Sequence, residues 1–154
     1  MDYAEILQNC DDPAVGAAVL DSLNRLFSID KQLLVVNASE QAIAAKIAQY
    51  LQPHFLANHI DVEYNRMGNA PKKVAWSEKR DEVYPDIIVH LRETETNVLA
   101  IELKKDSNPE KKGKDILKLR AYRRELGYIH GLFLRLGVGE NAGSVSECEW
   151  VHEQ

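Results

Sequence analysis

Two apolar segments joined by five polar residues constrain the fold of this chain more than any other feature. Residues 83–91 and 97–104 are rich in Ile, Val and Leu, and the sequence RETET at 92–96 separates them. Apolar runs of strand length on either side of a short polar connection predict an antiparallel β-hairpin. The hairpin then sets where the neighbouring segments have to lie.

The segments that follow the hairpin extend it into a mixed sheet. Asn108-Pro109 and Gly127 mark the two ends of a predicted helix, and the apolar run at 128–136 predicts another strand. A strand–helix–strand connection requires its two strands to be parallel, whereas the strands of the hairpin are antiparallel. Residues 145–151 add a predicted edge strand.

The segments before the hairpin supply helices and one more strand. Asp12-Pro13 predicts a helix start, and a second helix begins at Ser39 and stops before Pro53. Residues 60–66 alternate between apolar and polar and predict a half-buried strand, and residues 67–82 predict a long loop. The order helix, three strands, helix, strand predicts an α/β domain with a mixed central sheet flanked by helices.

The length and composition predict one domain. The 154 residues divide into an N-terminal helical extension (1–37), a core (38–136) and a C-terminal loop with an edge strand (137–154). The 45% apolar and 28% charged residues are typical of a globular chain, and the two distant cysteines indicate neither a disulfide framework nor a thiolate zinc site. The acidic N-terminus and the lack of a long apolar run predict a cytoplasmic protein without a membrane span.

Charge is distributed unevenly along the chain. The net charge is −5, yet residues 104–124 hold nine basic and three acidic residues, a local balance of +6. A basic segment on an acidic protein is able to bind a polyanion while the rest of the surface stays soluble. The alternative interpretation is a solvated helix face, and charge alone favours that alternative.

The predicted hairpin brings two carboxylates together. If it is symmetric about Thr94, Asp86 lies directly opposite Glu102. Two carboxylates in this arrangement repel each other unless a cation or a proton lies between them. Strand alternation divides the second strand of the hairpin into two faces. The apolar face carries Leu99, Ile101 and Leu103. The other face, which is partly charged, carries Val98, Ala100, Glu102 and Lys104.

This pattern predicts a metal site with hydrolytic chemistry. Paired carboxylate oxygens suit a hard divalent cation such as Mg²⁺ or Mn²⁺. A lysine two residues beyond Glu102 is placed to orient an attacking water or to stabilise a charged transition state. Asp86, Glu102 and Lys104 arranged in this way predict phosphodiester hydrolysis.

The same residues carry a resemblance to a known superfamily. Pro85-Asp86, fifteen intervening residues and then Glu102-Leu103-Lys104 in an apolar strand resemble the PD-(D/E)XK nuclease superfamily. The order of elements over 38–136 is similar to its restriction-endonuclease-like αβββαβ core. Residues 63–66 (EYNR), 85–90 (PDIIVH) and 101–105 (IELKK) are also similar to a small family of bacterial and phage proteins assigned to it.

The resemblance implies a role for each residue of the motif. Asp86 and Glu102 would be metal ligands, the backbone carbonyl of Leu103 would add a third, and Lys104 would be the catalytic lysine. Glu40 matches a helix glutamate that completes the metal site in many members. Lys118 and Tyr122 resemble a Gln-x-x-x-Tyr element of some members, with lysine here in place of glutamine.

Several residues keep two interpretations. Glu40 is either a metal ligand or an acid favoured by the helix dipole in a first turn. Glu63 is either a ligand or a charge partner of Arg66. Arg66 is either a phosphate contact or a solvated loop side chain. The residues expected to contact nucleic acid are Arg66, Lys105, Lys112, Lys118 and Tyr122.

The sequence therefore predicts a divalent-metal-dependent nuclease that acts on DNA. The alternative is a catalytically inactive domain of the same fold that binds nucleic acid or a partner protein. A homodimer is one expected assembly, with the N-terminal helices as its contact. Residues 1–37 are equally interpreted as a lid over the core.

Overall fold

The computed structural model describes residues 2–64, 73–75 and 80–152. Their helices and strands follow one another in the order α1 (Tyr3–Gln8), α2 (Pro13–Ile29), α3 (Lys31–Val35), α4 (Glu40–Leu51), β1 (His59–Val62), β2 (Lys73–Ala75), β3 (Arg80–Glu82), β4 (Ile87–His90), β5 (Asn97–Lys105), α5 (Gly113–Leu126), β6 (His130–Leu136) and β7 (Val145–Val151). Two short 3₁₀ helices lie after α4 and before β7.

Five of the strands form one mixed sheet in the order β1-β4-β5-β6-β7. β4 pairs antiparallel with both β1 and β5, β5 pairs parallel with β6, and β6 pairs antiparallel with β7. The predicted hairpin, the parallel crossover through a helix and the edge strand at the C-terminal end are thereby confirmed. β2 and β3 form a separate two-stranded sheet.

Helices cover both faces of the large sheet. On one face α2 and α4 pack against the sheet in a core that includes Leu23, Ile47 and Ile101. On the other face α5 packs through Leu119 against Phe133 of the sheet. This arrangement confirms the α/β class. None of the helices among the described residues has the length and apolar character needed to cross a membrane.

Local sequence signals account for several helix ends. The Asp12 carboxylate accepts a hydrogen bond from the Ala14 N–H, and Ser39 caps α4 in the same manner. Gly127 ends α5 with φ +72°, a left-handed conformation that glycine adopts without steric cost. The helix starts predicted at Asp12-Pro13 and Ser39 are therefore confirmed.

The start of α5 differs from the prediction. The helix begins at Gly113 and not directly after Pro109. The guanidinium of Arg135, which is buried beside β5, donates to the backbone carbonyls of Asn108 and Glu110 at 2.9 and 2.7 Å. These bonds hold the segment before α5 as a loop, since carbonyls bound to Arg135 satisfy their hydrogen-bonding requirement outside a helix.

The segment between β1 and β4 also departs from the prediction. β1 covers His59–Val62, so it begins one residue before the strand predicted at 60–66 and ends four residues before its end. Glu63 has φ +53°, which ends the extended backbone. The stretch at 67–82 was expected to be a loop, but it contains the paired strands β2 and β3. The rest of that stretch lies outside the described residues.

The register of the hairpin is the predicted one near the candidate site. Ile87 pairs with Ile101, and continuing this register by one residue places Asp86 opposite Glu102. The expected alternation fails at Val98, which packs in the core on the opposite face from Glu102. The reason is a shift of register between Val89 and His90, because an irregularity of this kind changes the face to which the following residues point.

Candidate active site

The site lies where β5 continues past Ile87, the first residue of β4. Pairing with β4 stops at Ile101, so the following backbone N–H groups need other acceptors. The Leu103 N–H donates to Asp86 Oδ2 at 2.7 Å, and the Lys105 N–H donates to Glu40 Oε2 at 2.9 Å. Two carboxylates from different elements therefore continue the ladder of β5 and meet along one edge.

Pro85 explains why Asp86 is available for this role. The proline is buried and has no N–H to contribute to a ladder, and β4 begins only after Asp86. The Asp86 carbonyl accepts from the Glu63 N–H at 3.3 Å, which ties the start of β4 to the end of β1. The Asp86 side chain is thus directed to the β5 edge by its position at the strand start.

Glu102 projects from β5 toward α5 and is buried. Its Oε1 accepts a hydrogen bond from the Tyr122 hydroxyl at 2.8 Å. Burial raises the pKa of Glu102 well above its usual range, and the neighbouring charge of Asp86 raises it further. Burial also raises the pKa of Asp86, although hydrogen bonding to Glu102 and Leu103 offsets part of the effect. The two carboxyl groups are close enough to interact directly.

Lys104 lies on the same face and is held by two acids. Its Nζ is 3.1 Å from Asp115 Oδ2 and 3.3 Å from Glu110 Oε2. Burial alone would lower the pKa of the Lys104 ammonium, but the ion pairs with Asp115 and Glu110 raise it. The lysine is therefore a positive charge held by two acids on the face of β5 that also carries Glu102.

Asp115 is a member of the site that was not predicted from the sequence. It is buried in the first turn of α5, and its charge raises the pKa of both Asp86 and Glu102, which shows that it lies near them. A sequence signal exists, because Asp115 and Tyr122 are seven residues apart and share a helix face. An acid on the apolar stripe of a helix has to find a buried partner.

The donor set suits a hard divalent cation. Mg²⁺ is commonly held by one or two carboxylates together with water and substrate phosphate. Asp86 and Glu102 supply two carboxylates, and the Leu103 carbonyl points to the same edge as its N–H, because both groups of an extended residue face one side. The described residues contain no group of three or more His, Cys, Asp or Glu side chains arranged to hold a metal ion.

The other acids of the motif have partners in the structure. The Glu40 carboxylate binds the β5 backbone, and its charge raises the pKa of Asp86, so it lies beside the carboxylate pair. Glu63 accepts from the Gln41 side chain at 3.4 Å. Arg66, its predicted partner, lies outside the described residues.

The residues predicted to contact nucleic acid are dispersed. Lys112 pairs with Glu147 and Glu149 of β7 at 3.6 Å, on the side of the sheet away from β4. Lys118 is half-buried on α5, and its charge helps to lower the pKa of Glu110. Lys118 is therefore near the site.

Tyr122 and Lys105 differ in what they offer a ligand. Tyr122 is 1% exposed, so it has no surface for the predicted contact with nucleic acid. Its hydroxyl orients Glu102 instead, which corrects the prediction. Lys105 is half-buried and lies at the site through its backbone.

A separate polar cluster joins β1 to the far end of β4. His90 is buried with Nε2 2.6 Å from Asp61 Oδ2, and Arg92 Nε donates to the same carboxylate at 2.9 Å. Burial alone would raise the pKa of Asp61, but the hydrogen bonds from Arg92 and His90 lower it. These contacts satisfy a partly buried acid and give His90 a structural role.

The site thus combines a raised-pKa carboxylate pair, an oriented lysine and a tyrosine that fixes one carboxylate. Such an arrangement is able to hold a cation and to place a proton donor or an oriented water next to it.

Comparison of the chain with protein-family models, with curated proteins and with solved structures gives no significant match.

Proposed function

We propose that this protein is a divalent-metal-dependent nuclease that hydrolyses phosphodiester bonds of DNA. The observation that carries the proposal is the meeting of Asp86 and Glu102 where β5 extends past the start of β4, with Lys104 held by Asp115 on the same face of β5 as Glu102. Two adjoining carboxylates, one buried and one partly buried, are electrostatically costly without a cation between them. Sites of this kind are retained for function more readily than for stability.

The order of elements supports membership of the PD-(D/E)XK superfamily. Helix α4, strands β1, β4 and β5, helix α5 and strand β6 follow the αβββαβ order of the restriction-endonuclease-like core. In this proposal β2 and β3 are an insertion, and α1 to α3 precede the core. The acidic pair and the lysine then occupy the central hairpin, as the resemblance implies.

Each residue of the site has a distinct role in the proposal. Asp86, Glu102 and the Leu103 carbonyl would hold Mg²⁺ or Mn²⁺, and the Tyr122 hydroxyl fixes the Glu102 carboxylate for that purpose. A bound cation acidifies water and offsets the charge that develops on the phosphoryl group. Lys104 orients the attacking water and stabilises the developing negative charge as a compact point charge.

The negative charge of the site favours binding of a metal cation before binding of the phosphodiester substrate. Asp115 and Glu110 contact the Lys104 ammonium, and Asp115 also lies near the Asp86–Glu102 pair, so the acids outnumber this lysine. Without a cation this surface repels a phosphodiester, so cleavage requires the metal. Exposed basic residues of α5 and the loop before it then contribute nonspecific affinity for the polyanion; they include Lys111, Lys114 and Arg124.

Cleavage assays on plasmid and single-stranded DNA test the proposal. We expect cleavage with Mg²⁺ or Mn²⁺, none with EDTA, and a loss of at least about 100-fold in Asp86→Asn and Glu102→Gln. Glu95→Gln is the matched control, since Glu95 is an exposed acid at the opposite end of the same hairpin. It is expected to cleave like the wild type.

Two results would contradict the proposal. Cleavage that survives EDTA and both active-site variants would assign the activity to a contaminant. A wild-type protein that binds DNA without cutting it under any divalent metal would favour the alternative, an inactive domain of the same fold that binds nucleic acid.

A further inference from the structure

We infer that Asp115 is the positioning residue for Lys104, an inference that rests on the proposed nuclease function. Its carboxylate lies 3.1 Å from the Lys104 ammonium and approaches it from α5, on the opposite side of the site from the strand that carries the lysine. Asp115 would act through Lys104 and not by touching the substrate. It holds the ammonium at one point on the face of β5 that also carries Glu102.

The burial of the two acids separates their roles. The side chain of Asp115 is 7% exposed, whereas that of Glu110 is 48% exposed, although both contact the same ammonium. An ion pair shielded from water is stronger and better fixed than one in solvent. Asp115 is also anchored by its helix, because Ile116 and Leu119 next to it pack in the core beneath α5.

The chemistry of lysine explains why such an anchor is required. The ammonium ends a flexible four-carbon stem, so it needs a partner to stay in one position. Glu102 lies two residues away on the same face of β5, within reach of that stem. Without Asp115, the Lys104 ammonium would turn toward Glu102 and Asp86, and it would then compete with a metal ion for their oxygens.

The decisive variant is Asp115→Asn, which keeps the size of the side chain and removes its charge. We expect kcat for DNA cleavage to fall at least about tenfold while KM for DNA changes less than about threefold. The Mg²⁺ concentration for half-maximal activity should rise, because the released ammonium competes for the carboxylates. Asp115→Glu restores the charge and should recover most of the lost kcat.

Glu110→Gln provides the matched comparison. This substitution also replaces a carboxylate that contacts the Lys104 ammonium with an amide, but Glu110 is exposed whereas Asp115 is buried. Its loss of kcat should be clearly smaller than that of Asp115→Asn. Equal losses in the two variants would overturn the assignment of the positioning role to Asp115.

A double-mutant cycle with Lys104→Met tests whether Asp115 acts through the lysine. Asp115→Asn should cause no further loss of the residual rate when Lys104 is already Met, and the two substitutions should also be non-additive in urea unfolding. Additive effects in both measurements would overturn the inference. The unfolding cycle reports on the contact even for a protein that does not cleave DNA.

Failure of the inference and failure of the proposed function are distinguishable. If the wild type cleaves DNA with Mg²⁺ and Asp115→Asn keeps its kcat and its metal dependence, only the positioning role is overturned. If the wild type cleaves no DNA under any divalent metal, the proposed function and the positioning role fall together, even where the unfolding cycle confirms the ion pair.

Discussion

At the scale of single residues, the carboxylate pair makes the site a source of instability. Burial raises the pKa of both Asp86 and Glu102 above their values in the unfolded chain, and the charge of Asp86 raises the pKa of Glu102 further. The native state therefore binds protons more tightly than the unfolded state does, and these two groups lower stability as the pH rises above about 4. Active sites commonly contain such unfavourable arrangements.

Removal of one charge should relieve this effect. In EDTA at pH 7–8, Glu102→Gln is expected to melt a few degrees above the wild type, since the amide still accepts the Tyr122 hydrogen bond without an ionisation penalty. The difference should shrink as the pH is lowered through 5 toward 4. Thermal unfolding by circular dichroism across this range measures it.

Other ionisable groups cancel in this comparison. The lowered pKa of Asp61 stabilises the protein at neutral pH in both forms and does not affect their difference. Glu95→Gln should follow the wild-type curve, because Glu95 is exposed. A Glu102→Gln protein that is less stable than the wild type at pH 8 would show that the Glu102 charge is already compensated without a metal.

At the scale of elements, the site depends on a mismatch in strand length. β5 has nine residues and β4 has four, so one end of β5 continues without its antiparallel neighbour. Acidic side chains from Asp86 and Glu40 complete the hydrogen bonding there. The arrangement places carboxylates where a longer β4 would place backbone carbonyls.

Contacts between elements also restrict glycine positions. A Cβ at Gly16 of α2 would lie 2.2 Å from the Leu7 carbonyl oxygen of α1, whereas a Cβ at Gly113 would meet nothing within 4 Å. We expect Gly16→Ala to lower the free energy of unfolding by about 1–3 kcal/mol. Gly113→Ala, at the start of α5, should be neutral or stabilising by up to about 1 kcal/mol.

Urea denaturation of both variants measures the difference. A fully stable Gly16→Ala protein would mean that α1 moves away from α2 at no cost. Such a result would show that α1 contributes little to the packing seen around Leu7.

At the scale of the whole molecule, the N-terminal helices belong to the main core. Val19, Leu23 and Leu26 of α2 are fully buried together with residues of α4 and the sheet. The indole N–H of Trp150 in β7 donates to the Ile6 carbonyl of α1 at 3.0 Å, which joins the two ends of the chain. These contacts are those of a structural layer.

Deletion of residues 1–37 tests this interpretation against that of a lid. Burial of each Val or Leu contributes about 1.5–3 kcal/mol, so the loss of three or more approaches the net stability of about 5–15 kcal/mol typical of a domain. The truncated chain is expected to lose cooperative thermal unfolding and to aggregate in size-exclusion chromatography. A truncated chain that folds and unfolds cooperatively would instead favour a lid.

The sequence by itself determined the hairpin and the helix caps. The polar connection at 92–96 and the alternation of apolar residues specify a register, because a slip of one residue would move every side chain of the strand to the opposite face of the sheet. The opposition of Asp86 and Glu102 follows from that register. The caps at Asp12 and Ser39 depend on neighbours within three residues.

Only the tertiary structure decided the remaining features of the site. The irregularity at Val98, the loop that Arg135 holds before α5, the burial of Tyr122 and the ion pair between Lys104 and Asp115 depend on packing between separate elements. Periodicity indicates which face of an element is buried, but not which residue of another element will lie against it. A buried charge finds its partner only when the helix and the sheet have packed, so the acid that holds Lys104 became evident only in three dimensions.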